Sequence, residues 1–127
     1  MTTANRVANA DVWIDTIAMA RENEGKPGEF TDIFTPGDRT IYCVIKLNQA
    51  KNETAVKFVW KAIVGEGAQN SYAYNGKDSM TIDYTTTPDT KFVFSHVTYP
   101  DDWPRGSYRV EVYINGALDK TIDYTIE

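Results

Sequence analysis

One histidine, one cysteine and scattered aspartates are the residues of this chain best suited to acid–base, nucleophilic or metal chemistry. His96 is the single histidine among 127 residues, so any mechanism that needs imidazole must use it. It stands in VFSHVTY on the same parity as Phe92 and Phe94, near a strand end. No carboxylate or second ligand is set at a useful spacing, and a half-buried structural histidine is the better reading. Cys43 is the only thiol, which excludes an intramolecular disulfide and a cysteine-based zinc site. With no helix start or cationic neighbour in the sequence to lower its pKa, it reads as a small core hydrophobe. Asp101 and Asp102, with Asp78 and Asp89, offer oxygens to a calcium ion if the loops converge. Their spacing fits no calcium loop, and paired aspartates before a turn are ordinary solvated turn formers. Gly65-Glu66-Gly67 is followed by no Lys-Ser/Thr and reads as a turn, not a phosphate cradle. Asn52-Glu53-Thr54 meets the glycosylation pattern, which has meaning only in a eukaryotic secreted chain. No catalytic residue, metal or cofactor is expected.

Aromatic side chains remain as candidate binding groups. Tyr72 and Tyr74 share a parity in a polar stretch between glycine-bearing turns, where flat rings suit a sugar face or a protein partner. The competing reading has both closing the rim of the fold. Trp103, next to Pro104, is first a corner plug and second a contact of the same kind.

Positioning these residues falls to strands. The run from Asp101 to Glu127 describes a turn, a strand, a tight turn and a second strand. Tyr108, Val110, Val112 and Ile114 alternate with polar neighbours and Tyr113 at the period of a half-buried strand. Asn115-Gly116 follows, a pair that tolerates the positive φ of a primed hairpin turn, and Ile122, Tyr124 and Ile126 form the apolar face of the return strand.

Upstream, residues 1–10 read as a tail. The run DVWIDTIAMA places Trp13, Ile17 and Met19 on one parity and Val12 and Ile14 on the other, which suits a first strand that crosses between sheets or lies at an edge. An amphipathic helix competes through Trp13, Ile17 and Ala20. Residues 22–38 read as a loop with turns at Pro27-Gly28 and Pro36-Gly37. Strands are expected over 39–47, with Ile41, Cys43, Ile45 and Leu47 inward, and over 55–64, with Val56, Phe58, Trp60, Ala62 and Val64 inward. Two more are expected over 77–86, with Met80, Ile82 and Tyr84 alternating, and 91–97, with Phe92 and Phe94 inward. TIDYT occurs twice, at Thr81–Thr85 and Thr121–Thr125, each preceded by Asn-Gly. The residues further upstream do not match, which favours two uses of one hairpin solution over a duplicated unit.

Length and composition bound the rest. A chain of 127 residues, 42% hydrophobic and 13% aromatic, suits one all-β domain with a substantial core, 1–127. A formal charge of -5 and no basic run disfavour a nucleic-acid partner. No segment approaches the length of an apolar membrane span, and the first residues lack the pattern of an export signal, so the chain is expected to be cytoplasmic or to follow a removed signal.

Three positions carry a family resemblance. Trp60 lies in the middle of the third predicted strand, Cys43 points inward on the strand before it, and Gly106-Ser107-Tyr108-Arg109-Val110 resembles a tyrosine corner with Val110 in place of a second cysteine. The pattern, over about 34–127, resembles the disulfide-free immunoglobulin-like and fibronectin-type-III-like modules of exported bacterial proteins. The resemblance implies an antiparallel β-sandwich of seven to eight strands, extracytoplasmic, without enzymatic activity, acting in protein binding or as a structural spacer. Two alternatives stay open: a carbohydrate-binding module using Tyr72, Tyr74 and Trp103, and an accessory domain of an enzyme.

Overall fold

Two-residue alternation of apolar and polar side chains governs most of the chain, and each alternating run becomes a strand. The computed structural model describes residues 11–63 and 79–127, and Tyr72, Tyr74, Asp78 and the Gly65-Glu66-Gly67 turn lie outside them. Nine strands and no helix form among the described residues. They are β1 (Ile14–Asn23), β2 (Lys26–Phe30), β3 (Ile33–Phe34), β4 (Thr40–Leu47), β5 (Ala55–Ala62), β6 (Ser79–Thr85), β7 (Phe92–Thr98), β8 (Gly106–Ile114) and β9 (Ala117–Ile126). A four-stranded sheet in the order β2-β1-β4-β7 faces a five-stranded sheet in the order β3-β9-β8-β5-β6. All pairings are antiparallel except β3 with β9, which is parallel.

The core fills from both inner faces. Ile41, Cys43, Ile45 and Leu47 of β4 meet Val56, Phe58, Trp60, Tyr108, Val110 and Val112 from the opposite sheet, all at most 1% exposed. Tyr108 and Tyr124 stack at 5.3 Å, and Trp60 and Phe34 each approach Tyr124 edge-on, at 6.2 and 5.6 Å. The inward registers expected for β4, β5, β8 and β9 are those observed, Val64 lying outside the described residues. Asn115 and Gly116 hold φ of 50° and 88°, the paired positive values of a primed turn.

Four expectations are corrected. First, residues 22–38 are not one loop, because a second primed turn at Glu24-Gly25 (φ 54° and 85°) pairs Asn23 with Lys26 and opens β2. Pro27 and Gly28 lie inside that strand. Proline is tolerated there because β2 is an edge, and at Gly28 an added Cβ would come within 2.7 Å of the Asn23 Cβ. Pro36-Gly37 is a turn as expected. Second, β1 neither crosses sheets nor lies at an edge, since it runs between β2 and β4. Its mixed parity has a local cause: the register shifts between Ile14 and Thr16, so Ile14 points inward before the bulge and Ile17 and Met19 point inward after it. Third, Tyr84 is inward in register, opposite Val56, but 41% exposed, on the strand that ends the five-stranded sheet. Fourth, Phe92 and Phe94 do not point inward. Val93, Ser95 and Val97 do, at 3%, 6% and 2% exposed, while Phe92 and Phe94 stand 64% and 49% exposed. Trp60 from β5 fills the space opposite, and its indole N–H donates to Ser95 Oγ at 3.2 Å, so that position calls for a small acceptor and not a ring.

A second bulge anchors β1. Val112 pairs with Lys120 and Tyr113 with Leu118, leaving Asp119 as the extra residue of β9. Its Oδ2 accepts the Ile14 N–H at 2.8 Å across the sandwich. The two TIDYT segments become the strands flanking the central pair, β6 beside β5 and β9 beside β8.

Candidate functional site

Among the described residues, Cys43, His96, Asp89 and the Asp101–Asp102 pair are not brought together. Cys43 is fully buried, and that burial pushes its thiol pKa well up, away from any nucleophilic role. His96 is exposed on β7, not half-buried, and its ring lies 5.2 Å from that of Tyr42. Asp101 and Asp102 both face the Arg39 guanidinium, at 3.8 and 3.3 Å, and Asp89 lies in a separate turn held by Thr87 and Thr90. Among the described residues no three His, Cys, Asp or Glu side chains gather as metal ligands would. Asn52 is exposed in a turn, while Thr54 beside it is buried, with its N–H donating to Thr86 Oγ1 at 2.9 Å.

Trp103 is not a contact surface. It is 2% exposed, its indole N–H donates to the Arg39 carbonyl at 3.1 Å, and its ring stacks on Tyr99 at 5.0 Å. It meets Tyr108 edge-on at 5.9 Å, so it plugs the corner and has no face left for a ligand. The Tyr108 hydroxyl donates to the Pro104 carbonyl at 2.5 Å, closing the tyrosine corner expected from the sequence.

A different feature stands out: the outer face of the four-stranded sheet. Register places Phe30, Ala20, Tyr42 and His96 side by side across β2, β1, β4 and β7. The next outward row is Ala18, Val44 and Phe94, and the one after it Thr16, Lys46 and Phe92. Most outward residues of a half-solvated sheet are polar, yet here three phenylalanines stand open, Phe30 and Phe92 at 64% and Phe94 at 49%. Two of these rings have partners on the face. Phe94 meets Tyr42 edge-on at 5.7 Å, and Lys46 Nζ sits 5.9 Å from the Phe92 ring centre. Beneath them Tyr42 is only 2% exposed and Ala20 fully covered. Burial, and then the Glu22 carboxylate, raise the Tyr42 phenol pKa above its usual value. The arrangement is a preformed apolar platform with a cationic rim residue, suited to burying a surface.

Sequence reasoning missed this platform because it gave Phe92 and Phe94 to the core. The signal was present in Lys91–Tyr99, where both parities are apolar and the smaller set, Val93 and Val97, fits beneath a tryptophan.

The paired sheets, the Trp60 core and the tyrosine corner define an immunoglobulin-like β-sandwich. The chain is similar in structure to an immunoglobulin-like protein from Pseudomonas aeruginosa, with a TM-score of 0.64 and 15% identity over 94% of this chain and 99% of that one. It is also similar to part of an alkylpurine DNA glycosylase from Pseudomonas fluorescens, solved bound to DNA with an abasic-site analogue, with a TM-score of 0.58 and 10% identity over 98% of this chain. The chain spans 32% of that glycosylase. No protein-family model and no curated protein matches the sequence. At these identities the likeness is one of fold.

Proposed function

We propose that this domain is a non-catalytic module that binds protein through the outer face of its four-stranded sheet. The supporting observation is the exposure of Phe30, Phe92 and Phe94, at 64%, 64% and 49%, on one face. Isolated surface hydrophobes are common, but rings collected over a buried tyrosine resemble the apolar centre of an interface. A glycan reading retains only Tyr72 and Tyr74, since Trp103 is buried. The accessory-domain reading draws on the likeness to about a third of a DNA glycosylase. A net charge of -5 argues against direct DNA contact.

The test compares the immobilised domain with a variant carrying Phe30→Ser, Phe92→Ser and Phe94→Ser. The substitutions touch exposed rings, so both proteins should melt within a few degrees of each other. Proteins retained by the parent and lost by the variant, then re-titrated in pure form with at least about tenfold weaker binding to the variant, support the reading. Equal retention by both overturns it.

A further inference from the structure

We infer that the free edge of β7 is a self-association site, where two copies of the chain pair antiparallel about a twofold axis and join their four-stranded sheets into one of eight strands. The inference rests on the reading of this face as protein-binding and names a second copy as the occupant of its β7 side.

The backbone directions come first. Leu47 N–H donates to the Lys91 carbonyl at 2.8 Å, and Tyr99 N–H donates to the Arg39 carbonyl at 2.9 Å, so residues at both ends of β7 turn their backbone toward β4. By strand alternation Val93, Ser95 and Val97 do the same, and Phe92, Phe94, His96 and Thr98 direct their N–H and C=O groups outward. Among the described residues β7 ends its sheet, so those groups form an open ladder.

Charge selects this edge over the others. A twofold axis sets only the residue on it beside its own copy and pairs the others in reverse order, but charged side chains and proline on an edge strand still discourage pairing. β2 carries Lys26, Glu29 and Pro27, β6 carries Asp83, and β3 is two residues long. The strand β7, FVFSHVT, has no Asp, Glu, Lys or Arg, no proline and no bulge, and so lacks the usual devices that keep an edge unpaired.

With the axis at Phe94, the two Phe94 rings meet and each Phe92 faces His96 of the second copy. The outward aromatic row thus continues across the junction. Phe92 and Phe94 together offer roughly 200 to 300 Å² of ring surface per copy, beside the strand edge itself. A standard interface needs about 800 Å² per partner, so the pair is weak and governed by concentration. It is also closed: once β7 is used, the outer edges of the joined sheet are two β2 strands, whose proline and charges stop further addition.

Sedimentation velocity on the whole chain, from about 10 µM to about 1 mM, tests the pairing. A monomer at low concentration giving way to a dimer, with the amides of Phe92, Phe94, His96 and Thr98 exchanging more slowly as the dimer forms, is the expected result. His96→Pro removes an outward N–H without touching the β4 ladder, and Phe94→Lys sets two cations on the axis. Each should shift association at least tenfold toward monomer, while Phe30→Ser, at the far side of the face, leaves it unchanged. Circular dichroism confirms folding, and Phe94→Lys decides should the proline variant not fold. A monomer at every concentration, a dimer whose β7 amides stay unprotected, or equal loss in Phe30→Ser overturns the pairing. The first of these leaves capture through the Phe30 side intact, so failure of the dimer is separable from failure of the binding face.

Discussion

Tyr108 shows how one side chain serves packing and hydrogen bonding together. Its ring lies between Tyr124 and Trp103, and its hydroxyl donates to Pro104 O at 2.5 Å. Tyr108→Phe keeps the stack and loses the bond, so thermal or urea unfolding should register a loss of about 0.5 to 1.5 kcal/mol. Tyr108→Ala removes both, at about 3 to 5 kcal/mol. Tyr113→Ala is the comparison: that ring is half-buried on the outer parity of the same strand, beneath Lys57, and the change should cost less than Tyr108→Ala. A greater loss at Tyr113 would contradict the packing described. Tyr108, Trp60 and Cys43 were legible in the sequence because their strands have one apolar parity and one polar parity. Trp103 was half legible: the corner was visible, but only the Arg39 carbonyl, 64 positions away in sequence, makes it a buried plug. The exposed rings were only half legible: both parities of their strand are apolar, and a phenylalanine's type does not say which of the two faces in.

At the scale of strands, the two primed turns differ in residue type and so in strain. Asn115 tolerates its φ of 50° and also clamps β5, its N–H donating to Ala55 O at 2.8 Å and its Oδ1 accepting from Ala55 N–H at 2.9 Å. Glu24 holds a φ of 54° with no such suitability. Left-handed backbone costs an ordinary residue about 1 to 2 kcal/mol. Glu24→Gly or Glu24→Asn should therefore raise stability by about 0.5 to 1 kcal/mol in chemical denaturation, and an unchanged or lowered midpoint would show that the turn is not strained. The same chemistry explains what was read and what was missed. Asn115-Gly116 announces its hairpin, whereas Glu-Gly followed by Pro-Gly looks like a loop, because proline marks a turn unless it lies on an edge strand. The bulges at Asp15 and Asp119 leave only indirect traces, the mixed parity of β1 being one of them.

Across the whole molecule, ionisation couples to folding through tyrosine. The phenol pKa of Tyr42 is raised by burial and then by Glu22, and that of Tyr113 by burial and then by its hydrogen bond to Glu111. Both groups hold their protons more tightly folded than unfolded, so their contribution is complete below the unfolded value of about 10 and is lost as pH rises through the folded values. Denaturation midpoints should fall between about pH 9 and pH 11, with Tyr113→Phe flattening the decline. A flat profile would place both hydroxyls in open water. The parallel contact of β3 with β9 has a mechanical consequence. Ile14 is tied to Asp119 at the start of β9, and Thr125 and Glu127 N–H groups donate to Asp32 and Phe34 carbonyls at its far end, at 3.0 and 2.8 Å. A chain stretched from Asp11 and Glu127 is thus gripped at opposite ends of a strand about 30 Å long. β3 runs in the same direction as β9, so tension slides the two past each other instead of peeling them apart. Their backbone bonds must yield together under load.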